Sequence, residues 1–204
     1  MSTRLANAGR LVNKNKAVSF TFNGKNLRGF EGDTLASALL ANDQMMVGRS
    51  FKYHRPRGVV ASGAEEPNGL VNLGKDNTFE PNQRITTTEL FDGLTATSQN
   101  HWPSLEFDVG VINTYFSRFM PAGFYYKMFI HPRPLWKHVY EPIIRRAAGL
   151  GSMSRLEDPD DYDKGFLHCD LLIIGAGPAG LAAALTRIDP AKGTSTRDRA
   201  ALIG

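Results

Sequence analysis

The sequence predicts an α+β domain followed by an α/β unit, with an aromatic-rich connector between them. Three observations support this prediction: a strand-turn-strand-helix pattern over residues 17–41, a concentration of aromatic residues over 101–140, and a Gly-x-Gly-x-x-Gly motif over 175–180. The motif lies between an apolar run and an Ala-rich run, as in a dinucleotide-binding (Rossmann) βα unit. The predicted domains are a basic, loosely ordered N-terminal arm (1–16), a β-grasp domain (17–100), the connector with an acidic linker (101–165) and an incomplete Rossmann domain (166–204).

The β-grasp prediction depends on the start of the chain. Residues 17–22 alternate apolar and polar side chains, which indicates a half-buried strand. Asn23-Gly24 is typical of a two-residue hairpin turn, so we expect the returning strand over 26–30. Residues 32–34 offer N-caps for a helix over 35–41. A hairpin followed at once by a short apolar helix favours a β-grasp fold of the ferredoxin type.

The rest of this domain contains two more predicted strands and an unusual basic segment. The strands are expected over 70–73 and 84–90, where the β-branched residues of the second favour extended backbone. Residues 49–58 interleave arginine and lysine with aromatic side chains. One interpretation is a loop whose guanidinium groups bind a phosphate or carboxylate of a cofactor. The other is an interface loop paired with acids such as Glu65 and Glu66.

The connector over residues 101–140 is rich in Trp, Tyr and Phe and is interrupted by prolines. Aromatic residues are enriched at interfaces, so this segment could cover a neighbouring domain or subunit. Packing on the chain's own core is an equally good interpretation. Residues 142–150 indicate a short helix ended by a glycine. The acidic, proline-containing segment 157–163 is the best candidate for a domain boundary.

Each glycine of the Gly-x-Gly-x-x-Gly motif has its own predicted role. Gly175 permits a tight turn after the apolar strand 171–174, which we expect to be buried on both faces. Gly177 lets a pyrophosphate approach the backbone, and Gly180 lets the helix lie against the strand. The residues predicted to bind a dinucleotide, through backbone groups and the helix dipole, are Gly175, Ala176, Gly177, Pro178, Ala179 and Gly180. No catalytic residue and no metal ligand is predicted.

The dinucleotide-binding unit is expected to be incomplete. A βαβ unit needs about 30 residues or more and a second strand ending in an acid that holds the ribose. The last candidate strand is 200–203, and Asp198 lies before it rather than at its end. Residues 188–193 interrupt the helix. We therefore expect the chain to be a fragment of a longer protein.

Composition excludes several classes of protein. Of the 204 residues, 42% are hydrophobic and 22% are charged, which is typical of a globular protein. The net charge of +4 comes without a dense Lys/Arg cluster, so no nucleic-acid partner is expected. The longest uncharged stretch, 171–186, is shorter than the roughly 20 residues of a membrane span. No apolar signal-like segment follows the basic arm, so we expect no membrane partner and a cytoplasmic location.

Cys169 is the single cysteine of the chain. It cannot form an intramolecular disulfide, and it excludes a cysteine-ligated cluster or zinc site within the chain. We expect it to be a small, buried apolar residue beside the first strand of the Rossmann unit.

Several segments together resemble the start of the α subunits of heterotetrameric sarcosine oxidases. The resemblance covers most of residues 5–185. Its pieces are Gly32-Asp-Thr-Leu-Ala-Ser-Ala-Leu-Leu-Ala-Asn42, Gly48-Arg-Ser-Phe-Lys-Tyr-His-Arg-Pro-Arg-Gly58, Gly63-Ala-Glu-Glu-Pro-Asn68, Phe124-Tyr-Tyr-Lys127 and His168-Cys-Asp-Leu-Leu-Ile-Ile-Gly-Ala-Gly-Pro-Ala-Gly180.

This resemblance implies a function for the whole protein. Such a complex oxidises sarcosine to glycine with oxygen, releases hydrogen peroxide and passes the methyl carbon to tetrahydrofolate. The resemblance implies NAD in the α subunit, FAD in the β subunit, FMN near the interface of the two, and β, γ and δ subunits as partners. It also implies a cluster-free ferredoxin-like module, whereas related amine and proline dehydrogenase complexes carry a [2Fe–2S] cluster there. The Gly-x-Gly-x-x-Gly motif alone does not distinguish NAD from FAD, so FAD stays open as an alternative.

Two hypotheses follow. The first is an oxidoreductase subunit, the N-terminal part of a sarcosine oxidase α chain that holds part of an NAD site and does not turn over sarcosine alone. The second is a non-catalytic assembly module of a related FAD-dependent amine or proline dehydrogenase complex. No substrate-contacting residue is recognisable, so the sequence does not identify the amine.

Overall fold

The computed structural model describes residues 3–5, 7, 9–124, 131–166, 168–188 and 200–203. The chain divides into two compact units, Met1–Pro159 and Asp160–Gly204. The division falls within the acidic segment 157–163. None of the helices in the described part of the chain combines the length and apolar character needed to cross a bilayer.

The first unit is built on a five-stranded mixed sheet. The strands of this unit are β1 (Asn13–Phe22), β2 (Lys25–Glu31), β3 (Gly48–Arg49), β4 (Pro56–Arg57), β5 (Leu70–Leu73), β6 (Glu80–Arg84) and β7 (Thr95–Ser98). The order in the sheet is β2-β1-β7-β5-β6, and β3 and β4 form a separate short hairpin. β1 pairs in parallel with β7, whereas the other neighbours in the sheet are antiparallel.

The hairpin and the helix predicted at the start of the domain are present. Asn23 and Gly24 have φ angles of 48° and 79°, as required in the tight turn between β1 and β2. Helix α1 (Leu35–Ala41) begins at Thr34, whose hydroxyl accepts from the Ser37 N–H at 3.2 Å. The Ser37 hydroxyl accepts in return from the Thr34 N–H at 3.0 Å, which completes a capping box.

One hydrophobic core joins α1 to the sheet. Its members come from alternate positions of the strands and from the inward face of α1, so they leave water together when the unit folds. The largest fully buried apolar side chains are those of Phe22, Leu35, Leu39, Val47, Val71 and Ile85.

The predicted strand over residues 84–90 is wrong. β6 ends at Arg84, and the N–H groups of Thr87 and Thr88 both turn back to the Arg84 carbonyl oxygen at 3.1 Å. The backbone after Arg84 instead forms a hydrogen bond with the first turn of α1: the Ile85 carbonyl oxygen accepts from the Ala36 N–H at 3.0 Å. The strand in this part of the chain is β6, which precedes the predicted range and shares only Arg84 with it. The interior strand β7 was not predicted.

The described residues of the basic arm form contacts with the rest of the first unit. β1 begins at Asn13, so the last residues of the predicted arm belong to the sheet. The guanidinium of Arg4 donates to the Asp33 carboxylate at 2.6 Å, and the Thr3 N–H donates to the Ala41 carbonyl oxygen at 3.0 Å. Residues at the start of the chain therefore pack along α1.

The described residues of the connector, 101–124 and 131–165, form short turns and short helices. It contains 3₁₀ turns at Val109–Thr114 and Ser117–Phe119, α2 (Arg133–Leu135), a π-helical turn at Trp136–Tyr140 and α3 (Glu141–Ala147). The short helix predicted for residues 142–150 is thus present and ends a turn earlier. Among the described aromatic residues of the connector, Tyr115 and Phe119 are 83% and 67% exposed.

The second unit contains β8 (Leu171–Ile174), α4 (Pro178–Ile188) and β9 (Ala200–Ile203), with β8 and β9 paired in parallel. The prediction that β8 is buried on both faces is wrong, because Ile173 is buried but Ile174 is 81% exposed. α4 packs beside both strands. Cys169 is half-buried rather than buried. Asp198 and the predicted helix interruption after Ile188 lie outside the described residues.

Candidate functional site

The six residues predicted to bind a dinucleotide form one turn between β8 and the first turn of α4. Gly175 follows β8 directly with φ of +101°, a conformation that L side chains rarely adopt. Apart from its chain neighbours, no described residue would place a heavy atom within 4 Å of a Cβ atom on Gly177, so space is open against the backbone at that point. A Cβ atom on Gly180 would lie 1.9 Å from the Gly175 carbonyl oxygen, and 3.5 Å from Cγ2 of Ile173.

The start of α4 presents an electropositive helix end. Pro178 opens the helix, and the first backbone bond runs from the Leu181 N–H to the Gly177 carbonyl oxygen at 2.9 Å. The first turn contains no acidic residue that would compete for its N–H groups. Ala176, Pro178 and Ala179 are exposed. A phosphate placed at this turn would meet backbone donors and the positive end of the helix dipole.

These residues fit the pyrophosphate of a dinucleotide. The open backbone at Gly177 leaves the room that a side chain would fill, and the close contact at Gly180 brings α4 against β8. The second strand of the unit, β9, is apolar throughout, and the acid that would hold a ribose was not identified from the sequence.

The basic segment 49–58 folds into the β3–β4 hairpin, and its first arginine is a structural residue. Arg49 is buried, and its guanidinium donates to the Leu105 carbonyl oxygen from Nε at 2.8 Å and from Nη2 at 2.7 Å. It also donates to the carbonyl oxygens of Glu106 and His54, each at 3.0 Å. These bonds use the guanidinium N–H groups of Arg49, which the first interpretation of this segment assigned to a phosphate or carboxylate of a cofactor.

A buried His–Asp pair lies beside Arg49. The His54 ring places Nδ1 2.6 Å from Oδ2 of Asp108, and Arg49 Nε is 3.8 Å from the same oxygen. Asp108 Oδ1 accepts from the N–H groups of Trp102 and Gly110, each at 3.0 Å. Because an ionised carboxylate only accepts hydrogen bonds, Nδ1 of His54 carries the proton.

The pKa of Asp108 reflects two opposing effects. Burial acts to raise the pKa of this carboxyl, but hydrogen bonds from the Trp102 and Gly110 N–H groups and from His54 outweigh burial and hold the pKa below its ordinary value. The carboxylate thereby ties the β3–β4 hairpin to the connector. Sequence reasoning missed this pair because 54 residues separate its members, so no local pattern links them.

The other basic residues of the segment lie nearer the surface. Lys52 donates to the Met120 carbonyl oxygen, and Arg55 lies over the Tyr53 ring with its guanidinium carbon 4.9 Å from the ring centre. Arg57 is exposed and forms no side-chain hydrogen bond or ion pair with any described residue. It lines a cavity of about 250 Å³ together with Arg49, Ser50, Asn68, Gln99 and Asn100.

The predicted pairing of this segment with Glu65 and Glu66 is wrong within the described residues. The Glu66 carboxylate is fully buried and accepts from backbone N–H groups of residues 60, 61 and 68. Glu65 is exposed in a 3₁₀ turn. Arg49, Lys52 and Arg55 therefore interact with carbonyl oxygens, aromatic rings and Asp108 rather than with these two acids.

The chain is similar to one domain family and to the α subunits of two sarcosine oxidases. Residues 15–101 match the family model of the 2Fe-2S iron-sulfur cluster binding domain. Sarcosine oxidase subunit alpha of Rhizobium meliloti (strain 1021) is 62% identical over 185 residues, which are 91% of this chain and 19% of that protein. The same subunit of Corynebacterium sp. (strain U-96) is 33% identical over 180 residues, 87% of this chain and 14% of that protein.

A solved structure is more distant. The crystal structure of L-proline dehydrogenase from P. horikoshii matches with a TM-score of 0.36 and 22% identity, over 47% of this chain and 18% of that chain.

The comparisons confirm the resemblance to sarcosine oxidase α subunits that the motifs indicate, and the family match with the mixed sheet confirms the ferredoxin-like part of the fold. The chain spans about a fifth or less of the length of these curated relatives.

The family description implies an iron–sulfur cluster, and the residues of this chain do not fit one. Such clusters are held mainly by cysteine thiolates. Residues 15–101 contain no cysteine, since Cys169 is the single one in the sequence. Within the described ranges, no group of three or more His, Cys, Asp or Glu side chains is arranged to hold a metal ion.

Proposed function

We propose that this chain is part of the α subunit of a sarcosine oxidase, and that its second unit binds the pyrophosphate of NAD at residues 175–180. The 62% identity to an α subunit supports the first statement. The NAD site is supported by one observation, the backbone geometry at Gly177 and Gly180. The open space at Gly177 leaves room for a phosphate, and the close approach at Gly180 brings the start of α4 against β8.

The residues of this turn bind and orient, and none of them performs chemistry. The backbone N–H groups of the first turn of α4 would donate to phosphate oxygens, and Gly175 sets the direction in which the chain leaves β8. NAD, when bound, supplies a nicotinamide ring that exchanges hydride. The protein's part in this unit is to hold the cofactor in place.

NAD is the cofactor we propose, and FAD is the alternative. Both carry the pyrophosphate that a Gly-x-Gly-x-x-Gly turn recognises, so the turn itself does not separate them. Equilibrium dialysis of the purified chain against each dinucleotide distinguishes the two. Retention of NAD in preference to FAD supports the assignment, and retention of neither contradicts it.

The activity of the whole complex is the oxidation of sarcosine to glycine, with hydrogen peroxide and methylene-tetrahydrofolate as further products. We propose β, γ and δ subunits as partners, with FAD in the β subunit and FMN near its interface with this chain. The exposed aromatic residues of the connector support a docking role, because solvent-exposed Tyr and Phe side chains are typical of interfaces. Arg57, unpaired among the described residues, would lie free to meet an anionic group.

A second candidate is a non-catalytic assembly module. The buried polar contacts of Arg49 and Asp108 favour it for the first unit, because these charged groups are used to hold loops together. Binding of a β-type flavin subunit by a chain that retains no dinucleotide would support the module. Dinucleotide binding by the purified chain would support the NAD-carrying subunit.

A further inference from the structure

The carboxylate of Glu66 is fully buried, with 0% of the residue exposed, and its hydrogen-bond partners are backbone N–H groups. Oε2 accepts from Val60 at 2.8 Å and from Ala61 at 2.7 Å, and Oε1 accepts from Asn68 at 2.8 Å. Among the described residues no lysine or arginine forms an ion pair with this carboxylate.

A buried charge without a counter-ion is costly unless several hydrogen bonds replace its hydration. Here the N–H groups that supply them come from both ends of one loop, residues 58–69, which contains little regular structure beyond a 3₁₀ turn. Such convergent N–H groups form a concave anion site. The loop folds inward around the carboxylate rather than around an apolar side chain.

Neighbouring contacts hold the rest of the loop in place. The Glu66 carbonyl oxygen accepts from Arg84 Nε at 2.8 Å, and the Thr86 hydroxyl donates to the Gly63 carbonyl oxygen at 2.6 Å. The Asn68 side-chain amide donates to the Gly58 carbonyl oxygen at 3.3 Å. These bonds leave the inward N–H groups to the carboxylate.

The titration of Glu66 agrees with this geometry. Burial acts to raise the pKa of the carboxyl, but the backbone hydrogen bonds from Ala61, Asn68 and Val60 outweigh burial and lower the pKa from its ordinary value. The group is therefore an anion at neutral pH.

We propose that residues 58–69 form an anion-binding site that the chain fills with its own Glu66 carboxylate. This loop lies within residues 15–101, which match the 2Fe-2S iron-sulfur cluster binding domain, and it contains no cysteine. When the Glu66 side chain is removed, the site accepts a small exogenous carboxylate such as formate. This inference is independent of the proposed dinucleotide site, which lies in the other unit.

The first test is the thermal midpoint of Glu66→Gln in the 204-residue chain, with Glu65→Gln, an exposed neighbour, as matched control. Replacing the anion by a neutral amide places an NH₂ group against N–H donors. We expect the midpoint to fall by about 5 °C or more, since hydrogen bonds to a charged group are lost. Equal midpoints for the two variants would overturn the proposal.

A second measurement needs no variant and applies if Glu66→Gln does not fold. The ¹³C signal of the Glu66 carboxyl, followed by NMR against pH in the unmodified chain, reports its titration directly. A midpoint below 4.5, the ordinary value, is expected. A midpoint at or above 4.5 would contradict the carboxylate's role as the anion of the loop.

The third test concerns the site itself. Formate is titrated into Glu66→Ala and Glu65→Ala at constant ionic strength, with chloride as the replaced salt. Binding to the folded state raises the midpoint with ligand concentration. A rise confined to Glu66→Ala supports a carboxylate site, and the same response in both variants overturns it.

Discussion

Gly180 lies so close to Gly175 that a Cβ atom on it would be 1.9 Å from the Gly175 carbonyl oxygen. The neighbour is backbone at the end of β8, so it cannot be moved aside as a flexible side chain can. This approach fixes how the start of α4 lies against the strand. A side chain at position 180 would therefore collide with the Gly175 carbonyl oxygen unless the helix or the strand moved.

Gly180→Ala should therefore displace α4 from β8. Overpacking of this kind costs about 1–3 kcal/mol, and here it also moves the helix start that we propose binds phosphate. Hydrogen exchange of the amides in residues 171–185 should accelerate in this variant. Gly165→Ala is the control, because a Cβ atom there meets no heavy atom of the described residues within 4 Å apart from its chain neighbours. Equal exchange rates in the two variants would show that the close contact does not constrain the helix.

Asp108→Asn should lower the stability of the first unit near neutral pH. The bond to His54 loses its ionised acceptor, which costs about 1.5–3 kcal/mol. Because folding lowers the pKa of Asp108, its contribution is present above the unfolded pKa of about 3.9 and is lost as pH falls through the folded value. Urea unfolding at several pH values should show the gap between variant and parent closing at acidic pH.

The control for this experiment is Asp43→Asn. Asp43 is exposed, and its backbone has φ of +60°, which asparagine adopts as readily as aspartate. This variant should match the parent at every pH. A stability gap for Asp108→Asn that persists unchanged into acid would contradict the assigned role of its charge.

Arg57→Ala should leave the thermal midpoint of the chain unchanged and weaken its association with a β-type flavin subunit. The side chain is exposed and has no ion pair among the described residues, so folding does not depend on it. Arg55→Ala, which removes a guanidinium stacked on Tyr53, should weaken association as well. Arg28→Ala, an exposed arginine on β2, is the control. Normal assembly with full flavin content in both loop variants would refute a contact of this segment with partner or flavin.

Tyr115→Ala and Phe119→Ala should also weaken subunit association. Both side chains are largely exposed in the connector, so their removal leaves the core intact while reducing the apolar area offered to a partner. The dissociation constant from a β-type subunit should rise several-fold. Phe166→Ala, at 98% exposure in the second unit, tests for a general effect of losing an exposed aromatic ring. Unchanged affinity in the connector variants would mean that this surface is not the interface.

Local sequence patterns predicted the elements that local chemistry determines. Asn23 and Gly24 supply the left-handed backbone of the first hairpin, and Thr34 supplies the cap of α1, because both depend on neighbours within four residues. The strand predicted over 84–90 failed because Thr87 and Thr88 form backbone hydrogen bonds with Arg84 and their hydroxyls do the same. Such local bonds compete with extended structure.

The polar interior of the first unit could not be predicted in the same way. Arg49 meets the Leu105 carbonyl oxygen across 56 residues, and His54 meets Asp108 across 54. Glu66 resembled any surface acid in the sequence, although its carboxylate is fully buried. These roles depend on which loops the sheet brings together. The exposure of Ile174 in β8 was not predicted for a related reason. An apolar run in the sequence does not identify the elements that pack on it.

The most direct test of the dinucleotide assignment is NAD binding by Gly177→Val, measured by isothermal titration calorimetry beside the unmodified chain and Gly165→Val. Apart from chain neighbours, no described residue places a heavy atom within 4 Å of a Cβ added at Gly177 or Gly165, so both variants should fold like the parent. We predict that the parent and Gly165→Val bind NAD and that Gly177→Val does not, because its side chain occupies the space of the pyrophosphate. Equal NAD affinity in all three proteins would contradict the account.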